Sequence, residues 1–114
     1  MLWAVRQLLD YTPVSPDDTS LLSATDEDGR QPLHFACLRG HRDVADLLLQ
    51  RGADIDARGN DRATPIDDAC FKGHKDVVEL LISRGANTQM VDKNLWSPLR
   101  TAVRYENLDI VEML

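Results

Sequence analysis

Apolar positions in this chain recur at helical spacing, and the whole pattern returns after 33 residues. Val44, Leu47 and Leu48 lie three and four positions apart, which is the spacing of one face of a helix. The prolines at positions 32, 65 and 98 mark the same period. Each period therefore predicts two helices, a short one that begins at the proline and an amphipathic one after it.

The boundaries of these helices follow from a few residues. In the first copy we expect a short helix from about Pro32 to Leu38, ended by Gly40, because glycine accepts left-handed backbone angles without a Cβ clash. The second helix is expected to begin near Asp43, whose charge suits the positive end of the helix dipole. Glycines at positions 52 and 85 are expected to close the second helices.

A Thr or Ser directly before the proline predicts a capped start for two of the short helices. The hydroxyls of Thr64 and Ser97 can accept a backbone N–H, and the proline that follows needs no donor. Gln31 occupies the equivalent position in the first copy and predicts a weaker cap.

The repeated segments read QPLHFA at 31–36, TPIDDA at 64–69 and SPLRTA at 97–102, and the later half reads GHRDVADLL at 40–48 and GHKDVVELL at 73–81. RGAD at 51–54 and RGAN at 84–87 complete two copies. The pattern strongly resembles the ankyrin repeat family, with its signature D-x-x-G-x-T-P-L-H-x-A-A-x-x-G-H and a second helix that ends L-L-x-x-G-A-[DN]. The resemblance implies an all-α solenoid of stacked helix-turn-helix units, with 54–63 and 87–96 as hairpin fingers.

A unit of this length cannot bury a core alone, so its apolar face must pack on its neighbours. We divide the chain into a degenerate N-terminal unit at 1–25 with a Pro-containing insertion, repeats at 26–58 and 59–91, and a partial repeat at 92–114 that is truncated in its second helix. Residues 2–10 are predicted to form a second-type helix. No polar capping unit follows the last copy, so we expect a piece of a longer protein or an end covered by another subunit.

Composition fits one small domain, since 43% of the 114 residues are hydrophobic. The net charge is -6, from 13 basic and 19 acidic residues, so duplex DNA and anionic membrane surfaces should be repelled and we expect no nucleic-acid binding. No apolar run approaches the roughly 20 residues of a membrane span, so we expect no direct membrane insertion. Cys37 and Cys70 lie one period apart, and equivalent positions of stacked helices are roughly 8 to 10 Å apart, beyond the about 7 Å that a disulfide spans. Free thiols and the lack of a signal sequence favour a cytoplasmic or nuclear location.

Histidines and cysteines raise the question of a metal or nucleophile site. His34 and Cys37 are three positions apart on one predicted helix and could place two ligands together. Each of these histidines and cysteines, however, occupies a repeat position. The resemblance implies that His34, in the segment PLH, makes structural hydrogen bonds. It implies that His41 and His74, in the two GH segments, pack at the helix turn. The acidic stretches 17–18 and 26–28 lack the spacing of a calcium loop and are expected to be solvated. We therefore expect no enzyme activity, metal or cofactor.

The residue two after each repeat proline varies most, as His34, Asp67 and Arg100. Adjacent repeats would bring Asp67 near the other two, which suggests a charge ladder between repeats. The alternative is that Asp67 points to solvent.

The family's variable positions usually form a concave partner-binding face. At these variable positions, each first helix carries an apolar or aromatic residue next to a basic one. This predicts a basic and aromatic groove for an acidic or mixed-charge partner segment. The first finger, with two acidic residues, favours a basic contact. The predicted partner-binding residues are Glu27, Asp28, Arg30, Leu38, Arg39, Asn60, Asp61, Ala63, Phe71, Lys72, Lys93, Asn94, Trp96, Arg104 and Tyr105.

Two points bear on the assignment of these residues to a binding surface. Phe71 and Trp96 could instead fill gaps against the neighbouring repeat. Arg62 and Leu95 replace the glycine of the family's finger turn, so we expect distorted turns there.

The sequence thus predicts a protein–protein interaction module, used as an adaptor or scaffold. The alternative is an ankyrin scaffold segment packed in cis within a larger enzyme, kinase or channel. The partner's identity and the oligomeric state stay open, because the fold does not specify them.

Overall fold

The computed structural model describes residues 20–114, and the predicted helix at 2–10 and the Pro-containing insertion fall outside them. Within the described residues the chain is helical and contains no strand, which confirms the all-α fold class. After a 3-10 turn at Ser20–Ser23, the helices are α1 Pro32–Arg39, α2 Arg42–Gln50, α3 Pro65–Lys72, α4 Lys75–Ser83, α5 Pro98–Arg104 and α6 Leu108–Met113.

The helices stack in two rows. The first helices pack in the order α1, α3, α5, and the second helices pack in the order α2, α4, α6, with each pair joined within its own repeat. The result is an elongated body of 42 × 25 × 20 Å. No helix within residues 20–114 has the length and apolar character that a membrane span requires.

The core lies between the two rows and is built from repeat-equivalent positions. Leu33 and Ile66 of the first helices, and Leu48 and Leu81 of the second helices, are almost fully buried. The prolines that begin α1, α3 and α5 are buried as well. Cys37 and Cys70 are free and fully buried in the same core as these leucines and Ile66.

Most helices begin and end at the residues that the sequence predicted. Gly40 and Gly73 end α1 and α3 with φ of 71° and 75°, in the left-handed region that favours glycine. The Ser97 hydroxyl accepts the backbone N–H of Arg100 at 3.3 Å, as expected of a cap. The prediction for Thr64 is wrong, because its hydroxyl is buried and makes no hydrogen bond.

The finger turns keep one geometry although two of them lack glycine. Gly29 has φ of 73°, and Arg62 and Leu95 each have φ of 65°. The expectation of distorted turns is therefore wrong: these two residues adopt the strained left-handed conformation that glycine adopts without cost.

Aspartates stabilise the turns from inside. The Asp26 carboxylate accepts backbone N–H groups from Asp28 and Arg30, each at 2.9 Å. The carboxylate of Asp92 does the same for Asn94 and Trp96, at 2.8 and 3.0 Å.

Successive fingers are joined by backbone hydrogen bonds. The Asn60 N–H donates to the Asp28 carbonyl at 2.8 Å, and the Lys93 N–H donates to the Asp61 carbonyl at 2.8 Å. The Asn60 side chain adds a bond to the Glu27 carbonyl at 3.1 Å. The fingers therefore form one continuous row beside the first helices.

Candidate functional site

A groove of about 350 Å³ lies between the fingers and the first helices. Its walls come from all three finger turns and from α1, α3 and α5. Eight of the fifteen predicted partner-binding residues line it, namely Arg30, Leu38, Asp61, Ala63, Phe71, Asn94, Trp96 and Tyr105. Of these, Ala63 is only 8% exposed and offers little surface.

The other seven predicted residues are exposed but lie outside the lining of the groove. They form the finger tips and the ends of the first helices: Glu27, Asp28, Arg39, Asn60, Lys72, Lys93 and Arg104. Asn60 and Lys93 join neighbouring fingers through backbone bonds, so part of this group has a structural role.

An aromatic pair forms one wall of the groove. The rings of Phe71 and Tyr105 meet edge to face, with centroids 4.7 Å apart and an interplanar angle of 84°. The two residues remain 43% and 46% exposed. Because Phe71 keeps so much surface in solvent, filling a gap between repeats does not account for it.

Basic side chains lie on the aromatic rings. Arg100 is 4.7 Å from the ring centroid of Trp96, Lys72 is 5.1 Å from that of Phe71, and Arg104 is 5.7 Å from that of Tyr105. None of these three cations lines the groove.

The charge of the groove is the reverse of the sequence prediction. Arg30 is the one basic side chain in its lining, within the part of the chain that the structure describes, while four aspartates line it: Asp61, Asp67, Asp68 and Asp92. Lys72 contacts the ring of Phe71 but does not itself line the groove. The groove is acidic and aromatic, not basic and aromatic.

Asp67 follows neither of the two predicted arrangements. It is 4% exposed, and its Oδ1 accepts the Thr101 hydroxyl of the next repeat at 3.4 Å, while Oδ2 has no hydrogen-bond partner. No ion pair joins it to His34 or Arg100, both within the described residues. Burial, and then the nearby charge of Asp92, raise the pKa of Asp67 to about 7.

Asp68 is partly buried next to it. Burial raises the pKa of Asp68 to about 8, the negative charges of Asp61 and Asp67 add to this, and the cationic Arg30 opposes it. At neutral pH both carboxyls are therefore largely or partly protonated, and the groove has less negative charge than four aspartates would give it.

His34 and His74 have structural roles. The Nδ1 of His34 accepts the Gln31 N–H at 3.0 Å, so Nε2 holds the proton and donates to the Ala57 carbonyl at 2.9 Å. Burial lowers the pKa of His34, which favours this neutral form. His74 binds the Leu38 carbonyl at 2.9 Å through Nε2. Among residues 20–114, no three His, Cys, Asp or Glu side chains are grouped in a way that could hold a metal ion.

Four lining residues were not among the predicted partner-binding residues: Asp67, Asp68, Asp92 and Thr101. The doublet of Asp67 and Asp68 was the available signal.

Comparison with known proteins agrees with this architecture. The family model described as "Ankyrin repeat" matches residues 28–60, and the model described as "Ankyrin repeats (many copies)" matches residues 66–114. The chain belongs to the ankyrin repeat family. Ankyrin repeats are generally non-catalytic protein-interaction modules.

Its similarity to individual curated proteins is confined to short stretches. The chain is 46% identical over 55 residues to "Serine/threonine-protein kinase VIK" of Arabidopsis thaliana, which is 48% of this chain and 11% of that protein. It is 42% identical over 41 residues to "26S proteasome non-ATPase regulatory subunit 10" of Rattus norvegicus, which is 36% of this chain and 18% of the relative. It is 56% identical over 27 residues to "Probable E3 ubiquitin-protein ligase XBOS33" of Oryza sativa subsp. japonica, 24% of this chain and 5% of the relative.

Proposed function

We propose that this chain binds another protein through its groove and the neighbouring finger tips. The observation that supports this most is the exposed pair of Phe71 and Tyr105 in the wall of the groove. Aromatic residues with exposed faces in a concave surface are typical of interface hot spots, and such residues supply much of the binding energy when a partner covers them.

The surface is preformed in the free chain. The fingers are joined to each other by hydrogen bonds from Asn60 and Lys93, and the first helices pack in one row. A surface that needs little ordering loses less conformational entropy on association. We therefore expect a partner to bind without a large rearrangement of the groove.

The test is a quantitative pull-down with mass spectrometry, followed by titration of the captured protein in purified form. We compare the wild type with a Phe71→Ala, Tyr105→Ala double variant. Val103→Ala is the matched control, because Val103 is an apolar residue of α5 that is 56% exposed and outside the groove. We expect the double variant to weaken binding at least about tenfold and the control to leave it unchanged.

If the purified partner binds the double variant as tightly as the wild type, the groove is not the binding surface. Circular dichroism must show that all variants keep their helices, so that a loss of binding reports the surface rather than the fold.

The alternative function is that of a scaffold segment whose groove is covered in cis by another part of a larger protein. It is favoured by the kinase and the ubiquitin ligase among the relatives, of which the matched stretches span only 11% and 5%. A cis contact would occupy Phe71 and Tyr105 in the parent protein. The isolated chain would then bind its partner segment, while the parent protein would not bind that segment when it is added as a peptide.

Two further expectations belong to this proposal. The free, buried Cys37 and Cys70 support a reducing cytoplasmic or nuclear location, which imaging of a tagged chain would test. The net charge of -6 disfavours binding to nucleic acid, which a gel-shift titration would test.

A further inference from the structure

We propose that the groove binds a basic side chain of the partner protein, an arginine or a lysine, with Asp67 and Asp68 as its counterions and with Phe71 and Tyr105 as its aromatic wall. This rests on the proposed protein-binding function and specifies the residue that the groove selects. Four observations support it.

The first observation is an unsatisfied buried acceptor. Asp67 is 4% exposed and lines the groove, and its Oδ2 makes no hydrogen bond. A buried polar atom without a partner is costly and uncommon in folded proteins. A donor from a partner would satisfy this oxygen once the side chains that cover it shift locally, because Asp67 already borders the groove.

The second observation is that neither carboxyl has an ion-pair partner among the described residues, although the charge of Arg30 acts on Asp68 from the same groove. The ion pairs among the described residues are Arg30 with Asp28 and Arg84 with Asp46. Asp67 and Asp68 are in neither pair. A basic partner residue would therefore meet carboxyls that are free to pair with it, and charge-assisted hydrogen bonds of this kind are the stronger ones.

The third observation is the aromatic wall. Phe71 and Tyr105 are both about half exposed and border the same groove as the aspartates. A guanidinium or ammonium group is attracted to aromatic faces, and the aliphatic part of its side chain packs on them. Within the chain, Lys72 and Arg104 already contact these two rings as cations.

The fourth observation is size. The groove of about 350 Å³ lies near the lower end of the range of ligand sites. That volume suits one long side chain with its flanking backbone rather than a large ligand. With a net charge of -6 on the whole chain, a basic segment would also be attracted from a distance.

Cation binding should be linked to proton release. Burial raises the pKa of Asp67 to about 7 and that of Asp68 to about 8, and a cation placed beside them would lower both values. Affinity should therefore rise from about pH 6 to about pH 8.5. The other titratable or charged groups that act on this pair are Asp61, Asp92 and Arg30 from the fingers, and the thiols of Cys37 from α1 and Cys70 from α3.

The probe is a library of random 12-residue peptides displayed on phage and selected on the wild-type chain. Selected peptides are synthesised, and their affinities are measured by fluorescence anisotropy. Each arginine is replaced by citrulline and each lysine by norleucine, which removes the charge and keeps the length of the side chain. We expect one such replacement in each peptide to weaken binding at least about tenfold.

The protein variants are Asp67→Asn and Asp68→Asn, which remove the charge and keep the shape. Asp109→Asn is the matched control, because Asp109 is an exposed aspartate of α6 outside the groove. We expect each groove variant to weaken binding about tenfold and to flatten its pH dependence, and we expect the control to do neither. Thermal denaturation of each variant verifies that it is folded.

Two results would overturn the proposal. Peptides that need Phe71 and Tyr105 but tolerate loss of every cation would refute cation selection and leave the protein-binding function standing. Peptides whose binding is unaffected by Phe71→Ala and Tyr105→Ala would refute both.

Discussion

Ionisation of Asp67 should make the fold less stable as the pH rises. In the folded chain the pKa of this carboxyl is raised from 3.8 to about 7, mainly because Asp67 is buried. The folded state therefore holds a proton that the unfolded state has already lost. The stabilisation is complete below about pH 4 and disappears as the pH rises through about 7.

The size of the effect follows from the linkage relation. Each pKa unit corresponds to about 1.4 kcal/mol, so the free energy of unfolding should fall by about 2 to 3 kcal/mol between pH 5 and pH 8 through Asp67 alone. Asp68 acts in the same direction, since its pKa is raised to about 8. His34 acts in the opposite direction at the acidic end, because burial lowers its pKa.

Asp67→Asn isolates the contribution of one group. The amide keeps an oxygen that can accept the Thr101 hydroxyl, although its NH2 group replaces the unpaired Oδ2 and costs about 1 to 3 kcal/mol if it stays unpaired. That cost is the same at every pH. The change with pH of the stability difference between the two proteins therefore reports the ionisation of Asp67 together with its effect on Asp68, because the charge of Asp67 helps to raise the pKa of Asp68. The contribution of His34 cancels.

The assay is urea denaturation followed by circular dichroism at half-unit steps between about pH 5 and about pH 8. We expect the stability of the variant relative to the wild type to increase by about 2 to 3 kcal/mol across this range. Asp109→Asn, at an exposed position, should give a curve parallel to the wild type. Parallel curves for Asp67→Asn and the wild type would show that Asp67 is not held in a buried, proton-retaining site.

Three other predictions concern backbone strain, core packing and thiol access. Leu95→Gly should stabilise the fold by about 1 kcal/mol, because Leu95 has φ of 65° and is 74% exposed. The control Leu108→Gly lies in a helix and should destabilise the fold by a similar amount, and thermal melts compare the two variants. Leu81→Ala should cost about 2 to 5 kcal/mol in urea denaturation, since Leu81 is fully buried, and an unchanged midpoint would contradict the stacking. Cys37 and Cys70 should not react with a thiol reagent in the native chain and should react on unfolding, because burial raises the pKa of both; a fast native reaction would contradict their burial.

The fold could be predicted from sequence because its signals are local and repeated. Gly40 ends a helix for a reason that lies in its own backbone, and Leu48 faces the core because of helical periodicity. Three copies of one pattern confirm each other. The cap predicted at Thr64 did not form: its hydroxyl is buried and makes no hydrogen bond.

The finger turns show how neighbouring structure can override a local preference. Arg62 and Leu95 disfavour the left-handed conformation, which predicted distorted turns, yet both have φ of 65°. The backbone bonds of Asn60 and Lys93 to the preceding finger hold the turns in register. Interactions between repeats therefore outweigh about 1 to 2 kcal/mol of local strain at each turn.

The candidate site was predicted only in part. The aromatic members Phe71, Trp96 and Tyr105 were found because their positions in the repeat are variable ones. The sign of the charge was predicted wrongly, because the basic residues that contact these rings lie outside the lining of the groove, while Asp67 and Asp68 line it.

The repeat period, the helix boundaries and the buried apolar face are written in the order of the residues, because each depends on spacing along one helix. The acidic character of the groove and the raised pKa values of Asp67 and Asp68 cannot be read from that order. They arise when Asp92 and Asp61 from two fingers meet one short helix, and when packing removes water from its carboxyls. Distances between residues far apart in the chain, and the solvent left between them, exist only once the repeats have stacked.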